Sequence, residues 1–399
     1  MKIIYLHQYF RKPTMSGGVR SYEFARRLVK DGHEVILITS DTDNQFDSWK
    51  IEDVDGIEVH WVSVNYNNKL NYFQRLYAFF KFLFLATIHI LPIHCDKVIA
   101  TSTPLTIAIP AMIYKFFKKK PFIFEVRDVW PEVPIALGYL NNSFLKKVAH
   151  ALEKLTYSFS SSIIALSPDM KLSVQKRSKN KPIEVIPNAS DVDLFKIKLN
   201  IIETDLYKLL LPIKEKHQKI VFYTGTLGLV NNIHYLLELA SHSKGDVGFV
   251  IIGDGKEREE LEALARNNGT LNQTIYFLDP VSKQELYIVH EVFDISCSTV
   301  LPVKELYANS ANKVFDAFAS GTPILINHEG WLKDLIDTEN CGLVLGGKSD
   351  ISQYNKLRDF LYNSEAIERA RTSSRRLGQT TFNREYLYQK FLIVIKDAS

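Results

Sequence analysis

The chain has 399 residues, of which 46% are apolar, 24% charged and 12% aromatic, with a formal charge of +4. At roughly 100–200 residues per domain this length predicts two domains. The ordinary apolar fraction excludes a disordered chain, a collagen-like repeat and a small disulfide scaffold. Cys95, Cys297 and Cys341 stand far apart with no Cys-x-x-Cys spacing, which argues against a structural zinc site and fits a reducing compartment. The opening MKIIYLHQYF lacks an apolar run long enough for a signal peptide and reads as a first strand. Charge is uneven: residues 1–190 hold 25 Lys+Arg against 17 Asp+Glu, and residues 191–399 hold 24 against 28. An anionic partner is therefore expected for the first half only.

In chain order, the first half offers strands at KIIYLHQYF, EVILITS, IEVHWVSV, DKVIATST, PFIFEVRD, SSIIALS and IEVIPN. The second half offers KIVFYTGTLG, VGFVIIGDG, IYFLDPV, ISCSTV, TPILIN and GLVLG. Several are continuous apolar runs, the mark of parallel strands buried on both faces. Helical periods at 19–30, 232–241, 256–267 and 311–320 lie between them. This βαβ repetition, made twice, predicts an α/β chain of two Rossmann-like, doubly wound parallel-sheet domains facing across a cleft. The strand running into Pro187-Asn188 sets the boundary, giving domains at 1–190 and 191–380. An amphipathic helix at 381–399 is left over and can pack on either domain.

Ligands of such folds bind at the carboxyl ends of strands, near helix N-termini. Neither G-x-G-x-x-G after the first strand nor G-x-x-x-x-G-K-[ST] occurs, so a nicotinamide dehydrogenase and a P-loop enzyme both become remote. The first strand ends in His7-Gln8-Tyr9-Phe10 and reaches Ser16-Gly17-Gly18-Val19 before a helix. Gly17 and Gly18 fit close approach of a backbone to phosphate, and equally a tight turn. Glu125, Arg127 and Asp128 close the strand PFIFEVRD. Their convergence favours a site over a simple ion pair at the strand end. Tyr223-Thr224-Gly225-Thr226 and Gly253-Asp254-Gly255 offer backbone donors after two later strands, or ordinary turns. In Ser310-Ala311-Asn312-Lys313-Val314-Phe315-Asp316, small polar residues open a helix with a lysine in its first turn. The helix dipole disfavours a cation there, so a bound diphosphate would explain Lys313, with Asp316 on a ribose; a plain surface lysine is the alternative.

Residues 70–92 (Leu70 to Pro92) carry seven aromatics, among them Tyr72, Phe73, Phe80 and Phe84, with Lys81 and His89 arguing against a membrane span. A helix partly in the domain and partly at a membrane surface is expected, helped by Lys115, Lys118–Lys120, Lys146, Lys147 and the basic stretch Lys171–Lys181. The alternative is a plain core helix with solvated lysines. No nucleic-acid-binding motif accompanies the basic charge.

Taken in order, these segments resemble glycosyltransferase family 4, the retaining nucleotide-sugar transferases of GT-B fold. The likeness rests on Gly17-Gly18, Ala165-Leu166-Ser167, Val185-Ile186-Pro187-Asn188 with Asp193-Leu194-Phe195, Tyr223-Thr224-Gly225, Gly253-Asp254-Gly255 and Asp316 to Pro323. The run Arg127-Asp128-Val129-Trp130-Pro131-Glu132 looks most like bacterial members that build O-antigen or capsule, including N-acetyl-fucosamine transferases. The family's Glu-x7-Glu pair falls here on Ala308 and Asp316, its histidine after the PFIFEV strand falls on Arg127, and its basic residues after Tyr-x-Gly are missing.

The resemblance implies transfer of a sugar from a UDP-sugar donor to a polyprenyl-diphosphate-linked saccharide, without a metal or other cofactor. The enzyme would sit at the inner, cytoplasmic face of the cell membrane, on an anionic lipid surface. Gly17, Gly18, Gly225, Thr226, Asp254, Ser310, Asn312 and Asp316 would hold the donor. Arg127, Asp128 and Lys313 would serve catalysis, and His7 and Glu125 would orient the acceptor. The rival readings are a transferase with a soluble acceptor and a nucleotide-sugar-binding or membrane-adaptor protein that has lost catalysis.

Overall fold

The computed structural model describes residues 1–15, 17–42, 46, 49–64, 72–178, 180–196 and 200–399, the side chains at 72, 73, 75 and 76 excepted. Ser16, Leu70 and Lys179, and the side chains of Tyr72 and Phe73, thus lie outside the described residues. The chain divides into two compact units, one of residues 1–187 with 388–399 and one of residues 188–387.

The first unit runs β1 (Lys2–Leu6), α1 (Arg20–Lys30), β2 (Glu34–Asp41), β3 (Trp49–Val54), β4 (Ile57–Ser63), α2 (Tyr72–Ile90) and β5 (Lys97–Thr101). It continues α3 (Ala108–Lys118), β6 (Phe122–Val126), α4 (Glu132–Ala136), α5 (Ser143–Phe159), β7 (Ser162–Ala165), α6 (Pro168–Gln175) and β8 (Ile183–Val185). Its eight-stranded sheet has the order β3-β4-β2-β1-β5-β6-β7-β8. All neighbours are parallel except β3 and β4. The apolar runs predicted as strands form it because both faces are covered; FIFEV, for example, is buried along its whole length. β3, absent from the predicted strands, is an edge strand whose WKIEDV carries charges to solvent. It turns into β4 through Asp55-Gly56, both with positive φ (53° and 81°), the pairing that a two-residue hairpin asks for.

One face of this sheet packs on α2 and α3, through Ala78, Phe82, Ala86, Ala108 and Ala111. Among the described residues no helix is long and apolar enough to cross a membrane. Residues 388–399 also belong to this unit. Phe391 stands 4.5 Å from Phe24 of α1 and 6.5 Å from Tyr5 of β1, ring centre to ring centre. The Tyr388 hydroxyl donates to Asp31 at 2.6 Å, and Lys97 Nζ donates to the carbonyls of Lys396 and Ala398 at 2.9 and 2.7 Å.

The second unit runs α7 (Asp205–Lys216), β9 (Lys219–Thr224), α8 (His234–His242), β10 (Val247–Ile252), α9 (Arg258–Asn267), β11 (Ile275–Leu278), α10 (Leu286–Val292) and β12 (Ile295–Ser298). Then come α11 (Asn312–Ser320), β13 (Ile324–Ile326), α12 (Trp331–Glu339), β14 (Gly342–Val344), α13 (Ile351–Tyr362), α14 (Ser364–Gln379) and the start of α15 (Arg384–Asp397). The sheet order is β11-β10-β9-β12-β13-β14. All of its pairings are parallel. The order reverses between β9 and β12, so the open crevice of an α/β sheet falls at their carboxyl ends.

Candidate active site

In the first unit, the carboxyl ends of β1 and β6 bring His7 and Arg127 together. Arg127 Nη1 donates to His7 Nε2 at 3.1 Å, which leaves the imidazole proton on Nδ1. Burial first, then the charges of Arg127 and Arg11, push the His7 pKa well below its ordinary value, so the ring is neutral. His7 is buried and its Nδ1 is closed to solvent, so it braces Arg127 instead of touching an acceptor itself. The Arg127 amide is fixed in turn by Ser102 Oγ at 2.9 Å. Asp128 is exposed and accepts a hydrogen bond from Thr103.

Glu125, expected to orient an acceptor, is 0% exposed. Its Oε1 accepts from Arg20 Nε at 2.9 Å and its Oε2 from the Thr101 hydroxyl at 2.6 Å. Arg20 also donates to the carbonyls of Ile186, at 2.8 Å, and Pro187. The ion pair that was the bland alternative is what the strand end holds, because a buried carboxylate demands a charged partner. Through Arg20, the first residue of α1, it pins the helix start behind Gly17 and Gly18. Gly17 has φ +127°, a conformation that favours glycine.

In the second unit, the strand-end loops after β9 and β10 lie backbone against backbone. A Cβ on Gly253 would stand 1.8 Å from Gly225 O, and one on Gly255 would stand 2.2 Å from Leu227 O. The amides of Gly225 and Leu227 donate to Ile252 O and Asp254 O, both at 2.9 Å. The Gly253-Asp254-Gly255 turn therefore serves loop packing. Its exposed Asp254 accepts from the Gly255 amide at 2.8 Å. Thr226 is exposed, while its carbonyl accepts from the Tyr223 hydroxyl at 2.8 Å and from Asn231 Nδ2 at 2.9 Å.

Lys313 reaches this loop from α11. Its Nζ lies 3.9 Å from the centre of the Tyr223 ring and 3.5 Å from where a Gly225 Cβ would be. Residues 88 apart in sequence thus meet at the β9 end, with a cation on an aromatic face beside a glycine that leaves room. Burial pulls the lysine down to about 8. No side chain caps the start of α11, and no acid stands in its first turn. Asn312 is exposed there. Helix-end amides and an ammonium are both groups that favour an anion.

Two expected donor contacts are engaged elsewhere. Ser310 is buried; its Oγ accepts from the Asn188 amide at 3.2 Å and its carbonyl from Asn188 Nδ2 at 2.6 Å. Asp316 is 4% exposed and ion-paired to Lys283, which also lies 3.9 Å from Asp191; Arg384 Nη2 donates to Asp191 at 2.7 Å. α11 is buried along Val314–Ala319, so little of the Asp316 carboxylate meets solvent and its ion-pair partner is Lys283. Burial raises its pKa and the Lys283 charge opposes the rise. Lys283 sits in a polar loop before α10, where no local pattern distinguishes it from a solvated lysine.

Two family matches lie in tandem along the chain, Glycosyltransferase Family 4 over residues 17–194 and Glycosyl transferases group 1 over residues 212–377. The chain is a family 4-type glycosyltransferase. The transferase is similar to an uncharacterized glycosyltransferase of Methanocaldococcus jannaschii, 22% identical over 340 residues, 83% of this chain and 82% of the relative. Its fold is that of a sucrose-phosphate synthase from Thermosynechococcus elongatus, with a TM-score of 0.79 at 14% identity over 99% of this chain and 98% of the other. It is shared also by Anabaena HepE, solved with UDP and glucose, with a TM-score of 0.71 at 17% identity over 99% of both chains. The expected pair of doubly wound parallel-sheet domains is thus what the transferase has.

Proposed function

We propose that the transferase moves a sugar from a UDP-linked donor to a polyprenyl-diphosphate-linked saccharide, with retention, at the inner face of the cell membrane in O-antigen or capsule synthesis. The observation that carries the donor half is the meeting of Lys313, Tyr223 and Gly225 at the uncapped start of α11. A diphosphate there would lie against an ammonium and helix-end amides, which stabilise the charge that grows on the leaving group. Lys313 then supplies positive charge that a metal ion would otherwise bring. The bond between the sugar's anomeric carbon and the β-phosphate oxygen breaks, and one to the acceptor hydroxyl forms. The hydroxyl proton passes to the departing UDP, whose oxygen becomes basic as the bond opens. Arg127, held by His7, and the exposed Asp128 would orient the acceptor or the sugar. UDP as the nucleotude is supported by HepE, whose structure holds UDP and glucose. The run from Arg127 to Glu132 supports a surface-polysaccharide sugar such as N-acetyl-fucosamine.

A thermal-shift series with UDP, GDP and dTDP tests the donor. The expected result is stabilisation by UDP alone, about 2.7 kcal/mol at 100 times its Kd. A larger shift with GDP or dTDP would overturn the UDP reading. Transfer to a synthetic polyprenyl-diphosphate saccharide, compared with the same saccharide free of lipid, decides between lipid-linked and soluble acceptors.

A further inference from the structure

Helix α2 is apolar on both sides. Ala78, Phe82, Leu83, Ala86 and Ile90 are buried in the first unit's core. Tyr77, Phe80, Phe84 and Ile88, spaced by three, four and four residues, are each more than half exposed. That spacing is one helix face, so a row of large apolar side chains about 16 Å long stands in solvent along α2. A helix that is hydrophobic all round has an apolar neighbour on every side, and here one side has none among the described residues.

Further exposed aromatics stand on α3, which packs beside α2. The Tyr114 hydroxyl donates to Ile93 O at 2.8 Å and accepts from the Cys95 amide at 3.1 Å, which holds the end of α3 beside the chain leaving α2. Just beyond, Phe116 and Phe117 are 59% and 65% exposed. Lys119 Nζ lies 5.0 Å from the Phe116 ring centre, and Lys118 is exposed with it. Neither α2 nor α3 contains an Asp or Glu, while Lys81, Lys115 and Lys118 lie on them. Among the described residues, every phenylalanine more than half exposed is on α2, α3 or α5.

We propose that the outer face of α2 with the Phe116–Lys120 end of α3 docks on an anionic lipid bilayer, its aromatic rings in the headgroup layer and its lysines on the lipid charges. The proposal deepens the lipid-linked-acceptor reading above by naming the surface that would bring the enzyme to its acceptor. Aromatic side chains favour the membrane–water interface, and an exposed apolar stripe on helices that carry cations and no acid fits an interfacial helix; Asp96, which feels the Lys120 charge, is the nearby acid. Each lysine near an anionic leaflet adds about fivefold to partitioning.

The test is sedimentation of the full chain with phosphatidylcholine vesicles containing 30% or no phosphatidylglycerol, about 1 mM lipid. Wild type is expected to pellet with the anionic vesicles at least tenfold better than with neutral ones. The double substitution F80D/F84D should cut partitioning at least tenfold, and K118E/K119E should abolish the preference for anionic lipid. All four side chains are exposed, so the thermal midpoint should stay unchanged. Wild type remaining in the supernatant overturns the proposal, as does F80D/F84D pelleting like wild type. So does a dimer that F80D/F84D turns into a monomer, which would make the face an interface between copies. The vesicles hold neither donor nor acceptor. A chain that binds them yet glycosylates no lipid-linked saccharide keeps this surface and loses the acceptor reading, and the reverse result does the opposite.

Discussion

Replacing Lys313 by alanine removes the ammonium 3.9 Å from the Tyr223 ring centre and leaves Gly225 with no cation beside it. A donor aimed at a leaving oxygen is worth about 2.7–4 kcal/mol in the transition state, or about 100- to 1,000-fold in kcat. The lysine's position on the pH scale adds a second reading. With its pKa drawn down to about 8, the free enzyme loses this charge as pH rises. About nine-tenths is charged at pH 7 and about one-eleventh at pH 9, so kcat/KM should fall roughly tenfold between them. Arginine stays charged throughout, so in Lys313→Arg the alkaline fall should vanish whatever the absolute rate. Initial rates of UDP release from pH 6.5 to 9.5, for wild type and both variants, read all of this. Lys313→Ala within a factor of two of wild type at pH 7, or an alkaline limb persisting in Lys313→Arg, refutes the reasoning.

Three further outcomes are expected. Glu125→Ala strands Arg20 in the core of the first unit and should cost about 3–5 kcal/mol of that unit's stability, read by denaturant melts, while UDP binding is unchanged. Gly253→Ala forces a Cβ against Gly225 O; UDP affinity should drop at least tenfold by calorimetry, with the first unit's melt intact. His7→Gln should lower kcat by loosening Arg127, and because the His7 pKa lies well below its ordinary value, the wild-type profile should show no acid limb near pH 6.5. A limb there that His7→Gln removes would mean the ring titrates and acts directly.

The strands and their two-domain grouping were readable because burial on both faces leaves a continuous apolar run, as in FIFEV and VGFVII. β3 escaped since an edge strand carries charge, although Asp55-Gly56 marked its turn. The site was readable in part. Lys313 stood out because a cation in a first helical turn opposes the dipole, and it does reach the β9 loop. Glu125 and Asp316 misled for one physical reason: a carboxylate near a strand end or helix start advertises a ligand only when its counter-ion is unknown. Arg20 and Lys283, 105 and 33 residues away in sequence, are those counter-ions. Nothing local announces such pairs, because folding alone brings them into contact.

The return of residues 388–399 to the first unit has a consequence for how the molecule is made. Phe391 fills the space beside Phe24 and Tyr5, yet about 200 residues separate it from the rest of that unit. At 5–20 residues per second a ribosome needs roughly 10–40 s to make them. For that interval the first unit waits with the Phe24 and Tyr5 side of its core uncovered, while the second unit is still being made; only when residue 387 is in place does the covering segment follow. The unit begun first is the unit finished last.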